Sequence, residues 1–176
     1  MTSALYTTQL QAGAGLIEET HLLLELWQQG MSSSELTQTA LRSGQFPNVS
    51  ARRLLNIVAE AFAPRYLIDD AKPATLLKSL RDPLSRRQFE QVLFLYTCRA
   101  NAILADFVRD VYWAAYSSGK SQISNEEARA WVVRANQDGK MAHPWSAETI
   151  ERVARYLTRC CADFGLLQGG VVKARR

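Results

Sequence analysis

Apolar residues recur at helical spacing along almost the whole chain. Leu16, Leu23, Leu24 and Trp27 form a stripe that predicts a helix over about 16–28, with Gly30 suited to its C-terminal end. Ser32 and Glu35 have capping-box spacing, and Met31 can staple onto Leu36, so a second helix is expected to run to about Ser43 and stop at Gly44. After the linker Gln45-Phe46-Pro47-Asn48, Val49 and Ser50 repeat the staple and cap. The third helix should bury Leu54, Leu55, Val58, Ala61 and Phe62 and end near Pro64. Asp69 to Lys72 reads as a turn, and Pro73 can open a short helix to Leu80.

The same grammar returns three more times. Ser85 and Gln88 open a strongly apolar helical segment that reaches Tyr116 and should form the core, broken or kinked near Arg99 to Ala102. Ser124 and Glu127, with Ile123 before the cap, open a helix through Trp131, Val132 and Ala135 that stops at Gly139. Trp145 and Ser146 open a last helix whose buried face is Ile150, Val153, Ala154, Leu157 and Cys161. Leu166 to Arg176 reads as a frayed basic tail.

These elements predict an all-α, compact multi-helix globular domain spanning 1–176. Two alike units, about 32–63 and 124–164, flank a central apolar helix pair at about 85–117. In each unit a capped helix, a glycine, a proline-containing linker and a second capped, arginine-bearing helix follow in order. The caps are 18 positions apart in the first unit and 22 in the second (Ser32 to Ser50, Ser124 to Ser146). That order is the layout of a helix-turn-helix, in which the second helix enters the major groove. It is equally the layout of a plain helical hairpin, and the linkers exceed the tight three- to four-residue turn.

Charge shifts the reading toward an anionic partner. The chain carries 21 Lys+Arg against 17 Asp+Glu, and 16 of the cations are arginine. Met1 to Val49 holds four acids and one base, whereas Ser50 onward holds 20 bases and 13 acids. Arginine fits phosphate and the guanine edge, so double-stranded DNA is the leading partner class. The candidate DNA contacts are Arg52, Arg53, Asn56 and the linker's Asn48 in the first unit. In the second they are Arg152, Arg155 and Arg159, a stripe at i, i+3 and i+7 flanked by Thr149. Glu148 and Glu151 stand close enough in sequence to pair with that stripe instead. A protein–protein adapter and an RNA-binding helical module are the rival readings.

No catalytic, metal or cofactor site emerges. Two histidines (His21, His143) and three cysteines without a CxxC spacing do not compose a zinc site. Ala114 to Ser121 (AAYSSGKS) fits the loose phosphate-loop pattern but follows a helix rather than a strand, and Gly13-Ala14-Gly15 lacks both strand and third glycine. Glu18-Glu19 and Asp69-Asp70 read as helix-start and turn acids, and Cys98 as a small core residue. The reading is of a non-enzyme with no small-molecule substrate. No apolar stretch approaches the roughly 20 residues that span a bilayer, and no export signal is seen, so no membrane partner and a cytoplasmic location are expected.

Four ordered motifs carry a family resemblance: Tyr6-Thr7-Thr8-Gln9-Leu10, Gly15-Leu16-Ile17-Glu18-Glu19-Thr20, Phe46-Pro47-Asn48-Val49-Ser50-Ala51-Arg52-Arg53 and Leu95-Tyr96-Thr97-Cys98-Arg99-Ala100-Asn101. Together the chain resembles the BrxA family of bacterial BREX (bacteriophage exclusion) defence systems along most of its length. The resemblance implies an all-α cytoplasmic protein with helix-turn-helix elements that binds double-stranded DNA. It would act beside other BREX proteins, a methyltransferase and ATPases among them. Through the Ser50-Ala51-Arg52-Arg53 motif it assigns DNA contact to Arg52 and Arg53, and it brings no catalytic residues.

Overall fold

A computed structural model describes residues 5–120 and 122–167, and the backbone of Lys173–Ala174. The fold is all-α. Among the described residues the helices are α1 (Ile17–Leu26), α2 (Ser33–Ser43), α3 (residues 51–66), α4 (Lys72–Leu80), α5 (Arg86–Ala100), α6 (residues 102–117), α7 (Asn125–Gln137) and α8 (Ala147–Asp163). The chain divides into two compact units. One is Leu16–Ala100, holding α1 to α5; the other joins the segment up to Gly15 to Asn101 and beyond, holding α6 to α8.

In the α1–α5 unit the serine caps and the Gly44 stop read from the sequence are in place, whereas α1 ends at Leu26 on an extended Trp27, short of the expected Gly30. Ser32 and Glu35 form a reciprocal capping box on α2, Gly44 closes that helix at φ 70°, and the Ser50 hydroxyl accepts the Arg53 N–H at 3.2 Å to start α3. Ser85 and Gln88 bond in the same reciprocal way ahead of α5. Trp27 is buried just past α1, and its indole N–H donates to the Met31 carbonyl at 3.2 Å. Asp69, Asp70 and Ala71 make the expected turn with three successive left-handed residues, held by an Arg99–Asp69 ion pair at 2.9 Å.

Two expectations for α3 are corrected. Leu55 is 53% exposed instead of buried: it follows Leu54 on a helix whose buried positions are Leu54, Ile57, Val58, Ala61 and Phe62. The helix also passes through Pro64 to Tyr66, because Ile57–Phe62 is wound as a π-helix, with the Ala63 N–H reaching the carbonyl of Val58. The widened turn loosens the ladder just where proline cannot donate. Beyond it Arg65 is buried, and Tyr66 lies fully buried among Arg65, Thr97 and Thr20.

The break expected near Arg99 to Ala102 falls at Asn101. Its extended backbone (φ −132°, ψ 90°) ends α5, and its carbonyl accepts from Leu104 and Ala105 to start α6. The apolar segment is less uniformly core than its composition suggests, since Leu95 (66%), Trp113 (51%) and Tyr116 (48%) are exposed. Trp113 and Tyr116 pack edge-on at 5.4 Å, beside the buried Tyr112. Val108–Tyr112 within α6 is a second π-helical stretch.

In the second unit the N-terminal segment is a strap laid on the helices. Tyr6 is buried, donates its N–H to the Lys140 carbonyl at 2.8 Å and forms an isolated parallel bridge with Met141. A 3₁₀ turn, Gln9–Ala12, packs against α8 with Leu10 buried. Ser124–Glu127 is a full capping box on α7, and α8 buries Ile150, Val153, Ala154, Leu157 and Cys161 as its pattern predicts. The tail is corrected in part. Leu167 is buried, Leu166 and Leu167 donate their N–H groups to the Cys161 carbonyl, and Lys173–Ala174 (β2) pairs antiparallel with Gln122–Ile123 (β1). The rest of that predicted tail, residues 168–172 and 175–176, lies outside the described residues.

Candidate nucleic-acid interface

Each unit holds a serine-capped helix that bears candidate arginines: α3 carries Arg52 and Arg53 in its first turn, and α8 carries Arg152, Arg155 and Arg159 along its length, while α5 likewise opens on Ser85 with Arg86 and Arg87. In the first, Phe46 is buried and its carbonyl accepts the Val49 N–H, which folds the linker back so that Ser50 can cap α3. Arg52 and Arg53 then fall in the first turn, both exposed, with no acid in that turn and no ion pair to either among the described residues. The N-terminal end of a helix carries partial positive charge, so cations there oppose the dipole by roughly 0.3–1 kcal/mol each before screening. A bound anion relieves both. Asn48 is exposed in the linker, whereas Asn56 is half-buried where α3 enters its π stretch.

In the second unit the linker is held from α7. Asn136 bonds the backbone of Trp145, and Ser146 accepts the Thr149 N–H at 3.3 Å to cap α8. The Ser146 hydroxyl also donates to Thr149 Oγ1 at 3.1 Å, so Thr149 serves the cap and is half-buried. The predicted arginine stripe splits three ways. Arg155 is exposed with no ion pair among the described residues. Arg159 is exposed and stands 3.9 Å from Asp163. Arg152 is half-buried, its Nε enclosed without a hydrogen-bond partner. Glu151 turns to Arg129 of α7 at 3.3 Å, not to the stripe.

Elsewhere several cations are taken up. Arg81 pairs with Glu25, Arg86 with Glu18 and Glu90, Arg109 with Asp106 and Asp110, and Lys120 with Glu127. Hydrogen bonds to carboxylates hold the Arg86 and Arg109 guanidiniums even more firmly protonated than usual. Ion pairing therefore takes up part of the basic excess, and Arg42 and Lys72 also stay exposed without an ion pair among the described residues. Arg87 and Arg134 belong with them, exposed and without ion pairs among the described residues, and sequence reasoning passed over both. Testing each arginine for an acid at i±3 or i±4 finds Arg86–Glu90, Arg109–Asp106 and Arg159–Asp163, but it also offers Glu90 to Arg87 and Asp138 to Arg134, arginines that stay unpaired among the described residues, and it misses the pairs made between helices.

Other chemistry is sparse. Among the described residues no group of His, Cys, Asp and Glu is placed to hold a metal ion. Burial pushes the Cys98 thiol up to about 12, which keeps it protonated at neutral pH. An open polar groove of about 600 Å³ beside α2 is lined by Gln28, Ser34, Gln38, Thr39 and Arg42, and its one acid, Glu35, is committed to the cap. Among the described residues no helix is long and apolar enough to cross a membrane.

The fold defines an all-α protein whose serine-capped helices carry exposed arginines. A family model for BrxA matches residues 4–175, and the chain belongs to the BrxA family. It is thereby a component of a BREX phage-defence system, in a family that is not a known enzyme family. A search of curated proteins returned no match.

Proposed function

We propose that this BrxA-family protein is a non-enzymatic component of its defence system that binds double-stranded DNA through α3 and α8. The observation that carries the reading is the placement of Arg52 and Arg53: two exposed, unpaired guanidiniums in the first turn of a serine-capped helix, where the dipole disfavours cations. Arg155 and Arg159 on α8 extend it. Binding of this kind is dominated by phosphate contacts and weakens steeply with salt, with a log–log slope of about −0.9 per phosphate neutralised. Titration of duplex DNA, single-stranded DNA, duplex RNA and a plain polyanion at several salt concentrations tests it. Tighter duplex DNA binding with a steep slope supports the reading, tighter RNA binding replaces it, and affinity that is flat with salt or equal for any polyanion overturns it.

One observation favours a second reading, a helical adapter within the assembly. Trp113 and Tyr116 are half-exposed neighbours on α6, the residue types that dominate protein interfaces. The nearby Arg109 is spent on Asp106 and Asp110, which suits an apolar protein surface better than a phosphate. Trp113→Ala should leave duplex binding unchanged under the DNA reading, and should abolish phage exclusion while sparing the fold under the adapter reading.

A further inference from the structure

Two of the sequence motifs contain none of the proposed contact residues: the one starting at Tyr6 lies on the strap that touches α8, and the other opens with Gly15, the last residue of that strap. Gly15 donates its N–H to Asp163 Oδ2 at 3.1 Å. Arg159 sits one helical turn before Asp163, and its Nε stands 3.9 Å from that same oxygen. A charge-assisted bond would close to about 2.7–2.9 Å. That oxygen accepts from the strap, and the arginine stands at the edge of ion-pair range with 72% of its side chain exposed.

Residue 15 must be glycine for this contact. A Cβ there would lie 2.7 Å from the Asp163 Cβ and 3.0 Å from Oδ2, so any larger residue drives strap and helix apart. The strap is fixed independently at its other end by Tyr6, which donates its hydroxyl proton to Asp106 and its N–H to the Lys140 carbonyl. Between the two anchors, Gln9–Ala12 packs on α8.

We propose that Gly15 is a positioning residue for Arg159: by holding Asp163, the strap keeps Arg159 off its neighbouring acid and presents the guanidinium to the phosphate backbone. This rests on the DNA-binding reading of α8. When Gly15 is displaced, Arg159 and Asp163 close into an ordinary i,i+4 pair and one phosphate contact is lost.

Two measurements on the full-length chain test it. The first needs no DNA: a thermal double-mutant cycle on Arg159→Ala and Asp163→Asn. The two changes are expected to be additive in the parent and coupled in the Gly15→Ala background; additivity in both, or equal coupling in both, overturns the proposal. The second is duplex DNA titration at several salt concentrations. Gly15→Ala is expected to weaken binding several-fold and flatten the log–log slope by about one unit, and adding Asp163→Asn to restore both. A Gly15→Ala loss that Asp163→Asn does not rescue marks a merely structural contact and overturns it. Should Gly15→Ala not fold, Asp163→Asn alone decides: an unchanged slope supports the proposal, whereas a slope steeper by about one unit means Asp163 already neutralises Arg159 in the parent and overturns it. A parent with no salt-dependent duplex binding refutes the DNA reading, and the thermal cycle still decides whether the strap separates Arg159 from Asp163.

Discussion

Asn136 grips the backbone of Trp145 from both sides: its Oδ1 accepts the Trp145 N–H at 2.8 Å, and its Nδ2 donates to the Trp145 carbonyl at 3.5 Å. The last turn of α7 thereby fixes the residue that immediately precedes the α8 cap. Asn136→Ala strands a half-buried backbone N–H and carbonyl and should lower unfolding free energy by about 1–3 kcal/mol, measured by urea denaturation. Asn136→Asp keeps the shorter bond and should lose less. Equal losses for the two variants would mean that the bond from the Trp145 N–H to Oδ1 contributes nothing measurable.

Tyr6 offers a parallel test at the strap. Its hydroxyl bonds Asp106, whose carboxylate is also approached by Arg109 at 2.8 Å, and its ring lies 6.0 Å from that of Trp131. Burial, followed by the bond to Asp106, pushes the Tyr6 phenol well above its ordinary value, so it stays protonated. Tyr6→Phe keeps the ring and removes only the donor. The expected cost is about 1 kcal/mol, because Asp106 retains Arg109. Tyr6→Ala should cost several times more, since it also empties a buried site beside Trp131. Thermal melts of both variants measure the difference.

The helix starts were legible because capping is local. A serine and its partner three residues on settle the geometry within one turn, and the Ser32, Ser50, Ser85, Ser124 and Ser146 caps all form. Which apolar residues stay outside was not legible. Leu55, Leu95, Trp113 and Tyr116 have core composition, and only the packing of neighbouring helices decides which stripe is covered. The π-helical stretches also escaped: an i+5 turn leaves no signature in a window read at 3.6 residues. Among the candidate contacts, sequence singled out Arg52 and Arg53, which the fold leaves exposed, but treated Arg152, Arg155 and Arg159 as equals. Their different fates depend on a carboxylate on the same helix, the strap and the enclosure of Arg152 Nε.

His21 should make the Leu16–Ala100 unit acid-sensitive. Its ring lies 5.0 Å from Phe89, and burial lowers its pKa; Glu18 pulls the other way, Arg86 and Arg81 reinforce the lowering, and Glu90 opposes it. Above the ordinary histidine value of about 6.5 both folded and unfolded chains are neutral at this site, and it contributes no pH dependence. As pH falls below that value the unfolded chain takes up a proton that the folded chain resists, so stability declines toward acid. His21→Gln should flatten the dependence of melting temperature on pH between about 6.5 and 5. An unchanged dependence would assign the acid sensitivity to other groups.

The sharpest test of the interface compares arginines that composition cannot distinguish. Arg155 is exposed and uncommitted, whereas Arg129, on the preceding helix, is held by Glu151 at 3.3 Å. Both are surface residues, and their removal should change stability by no more than about 0.5 kcal/mol. If duplex DNA lies along α8, Arg155→Ala should flatten the salt slope by about one unit, and Arg129→Ala should flatten it much less, because its charge is already balanced. On α3, Arg52→Ala/Arg53→Ala should flatten the slope by up to two units, since neither guanidinium has an acid to fall back on. If the double variant on α3 binds like the parent while Arg155→Ala does not, α8 alone is the DNA-binding element. If Arg129→Ala and Arg155→Ala are indistinguishable, binding reflects net charge rather than a placed site, and neither helix should be assigned to the groove.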